Sequence, residues 1–478
     1  MNIGLVSSEA VPFSKTGGLA DVVGSLFKVL PHLGAKVYLF TPYYKRTKAQ
    51  FKDFEEKRDL AITLNHKLYK GYAYLKEFYK DAYAILIEQN DFFDRDDLYG
   101  EKGVDYPDNA IRFGFFDKAV LEATREFDLH IDVFHLNDWQ SALIALFIKD
   151  DNLPFKTLYT IHNLGYQGNF DREFLRILDI DEKYFSIDGI EFYGKMSFMK
   201  AGIVFADKIS TVSPTYAKEI LTKEYGEGMD GILLTRKKDI VGILNGIDYE
   251  IWNPQTDPLI YKNYSINTIE DKEENKRKFL EEIGLENYKF PLFGMVSRIT
   301  AQKGMDILLK SLEEILKLNV NVVILGTGEK PLEEKLKKLS VLYPEKFKII
   351  LAFDEVLAHK IYASSDFFLM PSRYEPCGLS QMIALRYGTL PIVHETGGLK
   401  DTVFNYSEII NCGNGFSFDE YSSDALTDTI LYACSVFENK ALLIKLIKIG
   451  MSCNFSLEKM GEKYLKVFEE LVKKDKLK

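Results

Sequence analysis

The chain has 478 residues, 46% hydrophobic and 28% charged, an ordinary soluble composition spread over more length than one core usually takes, so two or three domains are expected. A formal net charge of −10 excludes the general basic surface that nonspecific binding to nucleic acid or anionic membrane needs. Four cysteines without CxxC spacing, and a start that runs directly into a strand pattern, lead us to expect a reduced, cytoplasmic protein with neither nucleic-acid nor membrane partners.

Strand-like apolar runs alternate with helical patterns from end to end. In the first half, strands are predicted at 2–7, 37–41, 133–136, 157–161 and 208–212, with helical patterns at 109–127 and 139–149 between them. Residues 59–89 depart from this rhythm: the alternating runs 61–64 and 83–87 predict a β-hairpin insertion. Asn245-Gly246-Ile247-Asp248, then Trp252-Asn253-Pro254 and a polar stretch through 267, is turn chemistry and predicts a hinge. The charge run 270–278 predicts a solvated helix face. Strands follow at 292–296, 320–325, 347–352, 367–370 and 391–394, and a helix from 456 to about 474 ends in a lysine-rich tail. Such alternation gives parallel sheets covered by helices, an α/β fold. We expect two doubly wound, Rossmann-like domains facing a cleft: 1–245, joined by a C-terminal helix at 456–478, and 246–455.

One phrase occurs twice, Thr16-Gly17-Gly18-Leu19-Ala20-Asp21 and Thr396-Gly397-Gly398-Leu399-Lys400-Asp401, each after a strand and before a helix. A glycine pair there either admits close approach of a ligand, with the helix N-terminus favouring an anion, or only makes the turn. Lys15 adds a cation to the first copy. Arg298 and Lys303 sit between a strand and a helix and could reach a diphosphate as a fork and a point charge, or be surface cations. Glu375, in Pro371-Ser372-Arg373-Tyr374-Glu375-Pro376-Cys377-Gly378-Leu379, could accept from two sugar hydroxyls or cap a helix. Asp138-Trp139 and His162-Asn163 end two strands: a carboxylate with an aromatic face, and an imidazole that is either a sugar ligand or a structural histidine.

Taken together, these residues resemble the bacterial glycogen synthase and plant starch synthase family. The resemblance runs from Lys15-Thr16-Gly17-Gly18 through His135-Leu136-Asn137-Asp138-Trp139-Gln140, Tyr159 to Leu164, Leu244 to Asp248, Arg298/Lys303 and Pro371 to Leu379, and ends at Thr396-Gly397-Gly398-Leu399. It implies the two-domain glycosyltransferase fold called GT-B. It also implies transfer of glucose, with retention, from ADP-glucose to the non-reducing-end 4-hydroxyl of an α-1,4-glucan such as glycogen. By the family's pattern, Lys15 and the Gly17-Gly18 loop approach the donor diphosphate, and Arg298 and Lys303 balance its charge. Glu375 holds glucose hydroxyls, His162 supports the glucosyl ring, and Asp138 and Asn245 lie close to the reacting sugar. Phe353, where relatives often carry tyrosine, stacks on adenine. Asp21, Asn163, Cys377, Gly378, Leu379, Thr396, Gly397 and Gly398 fall in the same motifs and are expected to bind substrate. Neither a cofactor nor a metal is expected; Asp94-Arg95-Asp96 is read as surface loop. The family's last helix usually opens Phe-Ser-Trp, whereas here it reads Phe455-Ser456-Leu457, which is expected to loosen its seat on the first domain.

No second carboxylate suits a nucleophile, so same-face attack, with the leaving phosphate helping to deprotonate the acceptor, is the expected route. Competing readings are sucrose synthase, a phosphorylase carrying pyridoxal phosphate, and a noncatalytic glucan-binding scaffold.

Overall fold

The computed structural model describes residues 1–101, 103–285 and 287–473. The chain divides into two compact units, Met1–Gly246 together with the segment from Leu457, and Ile247–Ser456. The lysine-rich tail expected after 473 lies outside the described residues.

In the first unit, the strands are β1 (Asn2–Val6), β2 (Lys36–Pro42), β3 (Glu56–Leu64), β4 (Lys67–Tyr79), β5 (Ala82–Glu88), β6 (Val133–Asn137), β7 (Lys156–Ile161), β8 (Lys208–Thr211) and β9 (Ile240–Gly242). They form one sheet in the order β9-β8-β7-β6-β1-β2-β5-β4-β3. All neighbours are parallel except the β3-β4 and β4-β5 pairs. The hairpin expected at 59–89 is present, extended to the antiparallel meander β3-β4-β5. β3 turns into β4 through Asn65 and His66 at φ 46° and 62°, as a two-residue hairpin turn requires, and β4 pairs antiparallel in turn with β5. The run 83–87 is β5, buried and paired parallel to β2. β5 thus has two partners, its hairpin neighbour β4 on one side and the core strand β2 on the other.

The core of this unit is built on β1 and the helix Gly18–His32, whose Val22, Val23, Leu26, Phe27, Val29 and Leu30 are buried at helical spacing. The helix Leu457–Lys473 completes it with Leu457, Met460, Tyr464, Val467, Phe468 and Leu471. Leu457 is buried in this cluster, so the missing indole leaves a packed leucine rather than a loosened helix.

In the second unit, β10 (Leu292–Val296), β11 (Asn321–Leu325), β12 (Phe347–Ile350), β13 (Phe367–Met370), β14 (Leu390–His394) and β15 (Phe416–Phe418) form an all-parallel sheet, ordered β12-β11-β10-β13-β14-β15. The polar stretch read as a hinge belongs firmly to this unit from Trp252 onward. Trp252 stacks on His359 with ring centres 4.1 Å apart, and Asp257 accepts from Tyr387 (2.5 Å) and lies 2.7 Å from His359 Nδ1. Tyr264 donates to the Tyr387 carbonyl at 2.7 Å. The run 270–278 is likewise only partly solvated: Lys272 is buried against the Tyr362 and Ala363 carbonyls.

Both sheets reverse their winding once, between β1 and β6 in one and between β10 and β13 in the other. Loops leaving the carboxyl ends of parallel strands diverge at such a point and leave a crevice.

Candidate active site

In the first unit, the loops at the reversal carry Glu9 to Asp21 after β1, Asp138 after β6 and His162 after β7. Asp138 takes φ 55°, uncommon outside glycine, and this turns its carboxylate back onto the next loop. Its Oδ1 accepts the His162 amide at 2.8 Å. Burial pushes the carboxyl up to about 7, against the lowering pull of the His162 and Asn163 amides. Asn137 donates to the Val6 and His135 carbonyls, at 3.0 and 3.2 Å. Its Oδ1 is therefore left to accept, and His162 Nε2, 2.9 Å away, carries the proton. Burial drives the His162 imidazole down to about 3, so the ring is neutral and Nδ1 is an acceptor. An acceptor of that kind suits a sugar hydroxyl.

Trp139 does not offer the aromatic face expected of it. Its indole is 9% exposed and packs against Phe113, Phe170 and Phe198, with Gly168 pressed over it so closely that a Cβ there would lie 2.5 Å from the ring. Asn163 is spent on a turn, its side chain accepting the Gly165 amide at 3.0 Å. Asn245 is buried with its Oδ1 unpartnered among the described residues. Lys15 is exposed and pairs with Asp21 at 2.7 Å.

Glu9 is a residue the sequence did not single out. It is 3% exposed, and its Oε2 accepts both the amide and the hydroxyl of Thr16, the latter at 2.9 Å. No spacing rule flags a glutamate in a Ser-Ser-Glu-Ala turn, because its partner is a backbone amide seven residues on.

In the second unit, three loops are laced together. A Cβ on Gly304 would lie 1.9 Å from the Pro371 carbonyl, and Arg373 donates its amide to Gln302 at 2.9 Å. Lys303 Nζ reaches Glu375 Oε2 at 2.5 Å, and Ser372 donates to the same oxygen at 3.0 Å. Glu375 is 8% exposed and its Oε1 has no hydrogen bond among the described residues, so one carboxylate oxygen is fixed and the other free to accept. Arg298 is exposed and makes no ion pair among the described residues. Phe353 is 91% exposed, a bare aromatic face. Cys377 is buried, while Gly378 takes φ 72° and Leu379 follows it into the helix Ser380–Arg386.

The twin loops differ in what their glycines are for. A Cβ on Gly397 would lie 2.0 Å from the Glu375 carbonyl, and one on Gly398 2.2 Å from that of Cys377. The Gly398 amide donates to the Glu375 and Pro376 carbonyls, at 3.1 and 3.2 Å, and Thr396 is buried beside them. These glycines let the glutamate loop sit against the helix. Around Gly17 and Gly18, a Cβ would meet nothing within 4 Å. Here the missing side chains leave open space.

Residues 2–235 match the family model described as the starch synthase catalytic domain, and residues 276–444 match glycosyl transferases group 1. The chain is 45% identical to the glycogen synthase of Fervidobacterium nodosum over 98% of both chains. It is 44% identical to that of Thermodesulfovibrio yellowstonii, covering 99% of this chain and 98% of the other. Among solved structures it is similar to the catalytic domain of starch synthase IV from Arabidopsis thaliana, bound to ADP and acarbose, with a TM-score of 0.88 at 30% identity over 99% of each chain. Sucrose-phosphate synthase from Thermosynechococcus elongatus shares the fold alone, with a TM-score of 0.63 at 16% identity over 98% of each.

Proposed function

The chain belongs to the glycogen synthase and starch synthase family of GT-B glycosyltransferases, and on that premise we propose how its residues divide the work of moving glucose from ADP-glucose to the 4-hydroxyl of an α-1,4-glucan end. The observation that carries the reading is the Lys303-Glu375-Ser372 cluster, a buried carboxylate with one oxygen pinned by a cation and the other open. Glu375 Oε1 accepts from adjacent glucose hydroxyls. Lys303 and the unpaired Arg298 take up charge on the departing diphosphate, as a point and a fork. Phe353 stacks on adenine. The Thr396-Gly397-Gly398 loop acts by holding the backbone of Glu375 to Cys377 in place, and Gly378 and Leu379 turn that backbone into the next helix.

In the first unit, Lys15 and the open Gly17-Gly18 face meet the diphosphate, with Asp21 holding Lys15 until then. Neutral His162 accepts from a glucosyl hydroxyl at Nδ1 and turns its backbone carbonyl to the developing positive charge. Asp138 orients the 162–163 turn that does this, and Asn245 and Asn163 lie close to the sugar. No side chain serves as a nucleophile: the acceptor attacks on the face that ADP leaves, and the leaving phosphate oxygen takes the acceptor's proton. Side chains alone balance the charge in this scheme, so it assigns no resident metal or cofactor.

The test is turnover of ADP-glucose against UDP-glucose, with and without glycogen and with a chelator. ADP release that depends on glycogen and persists in the chelator is expected, with Glu375→Ala and Lys15→Ala slowed by orders of magnitude. Faster use of UDP-glucose would overturn the donor, and near-normal turnover by Glu375→Ala would overturn the role given to the glutamate.

A further inference from the structure

Helix N-termini attract anions because their first amides lack partners. Ahead of the helix Gly18–His32, a different backbone amide, that of Thr16, is satisfied from inside the protein. Glu9 Oε2 takes the Thr16 amide and the Thr16 hydroxyl; burial pushes the carboxyl up, against the lowering pull of Thr16 and of the Gly17 amide. Gly17 itself, the residue before the helix Gly18–His32, supplies no side-chain cap. Glu9 instead ties down the residue just before that position, from a neighbouring loop.

The backbone that carries Glu9 is itself fixed. Ser7 Oγ donates to the Glu9 carbonyl at 2.7 Å, and the Tyr44 hydroxyl donates to the Ser8 carbonyl at 2.8 Å. Ser8 Oγ and the Tyr99 hydroxyl are 2.8 Å apart. Tyr44 and Glu9 are buried. The carboxylate is thus a rigid post, and the loop tied to it is the one whose outer face is open. Lys15, directly before Thr16, is exposed and, among the described residues, held only by Asp21.

We propose that Glu9 is a positioning residue for glucosyl transfer: by holding Thr16 it fixes where Lys15 and the open Gly17-Gly18 backbone stand, so that the donor's diphosphate meets them already in place. This rests on the reading that Lys15 serves the donor. The Thr16 amide is occupied, so the phosphate is left to Lys15 and the backbone from Gly18 onward. Preorganisation of this kind acts on the donor step and leaves glucan binding alone.

The test uses the full chain, with steady-state kinetics for ADP-glucose and glycogen varied separately and the melting temperature of each variant recorded. Glu9→Ala is expected to lose tenfold or more in kcat/KM for ADP-glucose, with KM for glycogen unchanged within twofold. Glu9→Gln keeps an oxygen for both Thr16 bonds and is expected to stay within threefold of the parent. In a Lys15→Ala background, Glu9→Ala is expected to add a smaller loss than it causes alone, since one of the two groups it positions is gone. If Glu9→Ala does not fold, Thr16→Val, which removes only the hydroxyl bond, takes its place with an expected three- to tenfold loss. Parent-like donor kinetics in Glu9→Ala or Thr16→Val beside an impaired Lys15→Ala would overturn the proposal alone, as would fully additive losses or an equal rise in KM for glycogen. A Lys15→Ala variant with parent-like kinetics would overturn the assignment of Lys15 and this proposal with it.

Discussion

The two Thr-Gly-Gly loops make opposite predictions for the same substitution, glycine to alanine. At Gly398, the new methyl would lie 2.2 Å from the Cys377 carbonyl oxygen and 2.5 Å from its Cα. Backbone cannot swing aside as a side chain can, so the cost belongs at the upper end of the about 1–3 kcal/mol seen for overpacking. At Gly397, a similar clash adds to a φ of 45°, where an L-residue gives up about 1–2 kcal/mol more. At Gly18, the methyl meets nothing within 4 Å and sits in the first turn of a helix, where alanine outdoes glycine by up to about 1 kcal/mol. Scanning calorimetry should show Gly397→Ala and Gly398→Ala melting well below the parent and Gly18→Ala at or above it. The kinetic order is not the stability order. Gly18→Ala fills the space reserved for the donor and should lose tenfold or more in kcat/KM, about 1.4 kcal/mol of transition-state stabilisation, while fully folded. A Gly398→Ala protein as stable as the parent, or a Gly18→Ala protein with parent-like turnover, would refute the distinction.

Lys303→Ala strands the buried Glu375 carboxylate and is expected to cost about 3 kcal/mol in urea unfolding, more than Glu375→Gln, which leaves the partly exposed ammonium to water; the reverse order would remove the pair from the stability argument. His135 is fully buried, and burial holds its imidazole down to about 3, so the folded protein stays neutral there where the unfolded chain binds a proton below about 6.5. Its contribution to stability is present above that range and is lost as pH falls from about 6.5 toward 3. His135→Gln should therefore gain about 2 kcal/mol relative to the parent at pH 5 compared with pH 8, and parallel pH profiles would count against it. Leu457→Ala should cost about 3 kcal/mol by cavity formation. Leu457→Trp, in a core already closed around leucine, should also destabilise, by about 1–3 kcal/mol; a more stable tryptophan variant would mean that room for the indole remains.

The α/β class, the doubly wound sheets and most strand positions were legible in the sequence, because parallel strands buried on both faces must be continuous apolar runs and their loops must carry turn residues. So was the placement of Lys15, Asp138, His162, Arg298, Lys303 and Glu375 in loops that follow strands of the two sheets. What the tertiary structure alone decided is how those motifs are used. The two Thr-Gly-Gly phrases read alike, yet one spares room for backbone of its own chain and the other leaves room for something else, a difference set by which loops the sheet order brings alongside. Trp139 reads as an offered aromatic face and is core, and 83–87, read as a hairpin strand and paired as one with β4, also lies parallel to β2, a second pairing that only the sheet order reveals. Glu9 carried no signal, because a carboxylate that holds another segment's amide is defined by distance in space. Local pattern fixes what each segment is; which segments meet is set by packing between residues far apart in the chain, and that is where the site's chemistry was decided.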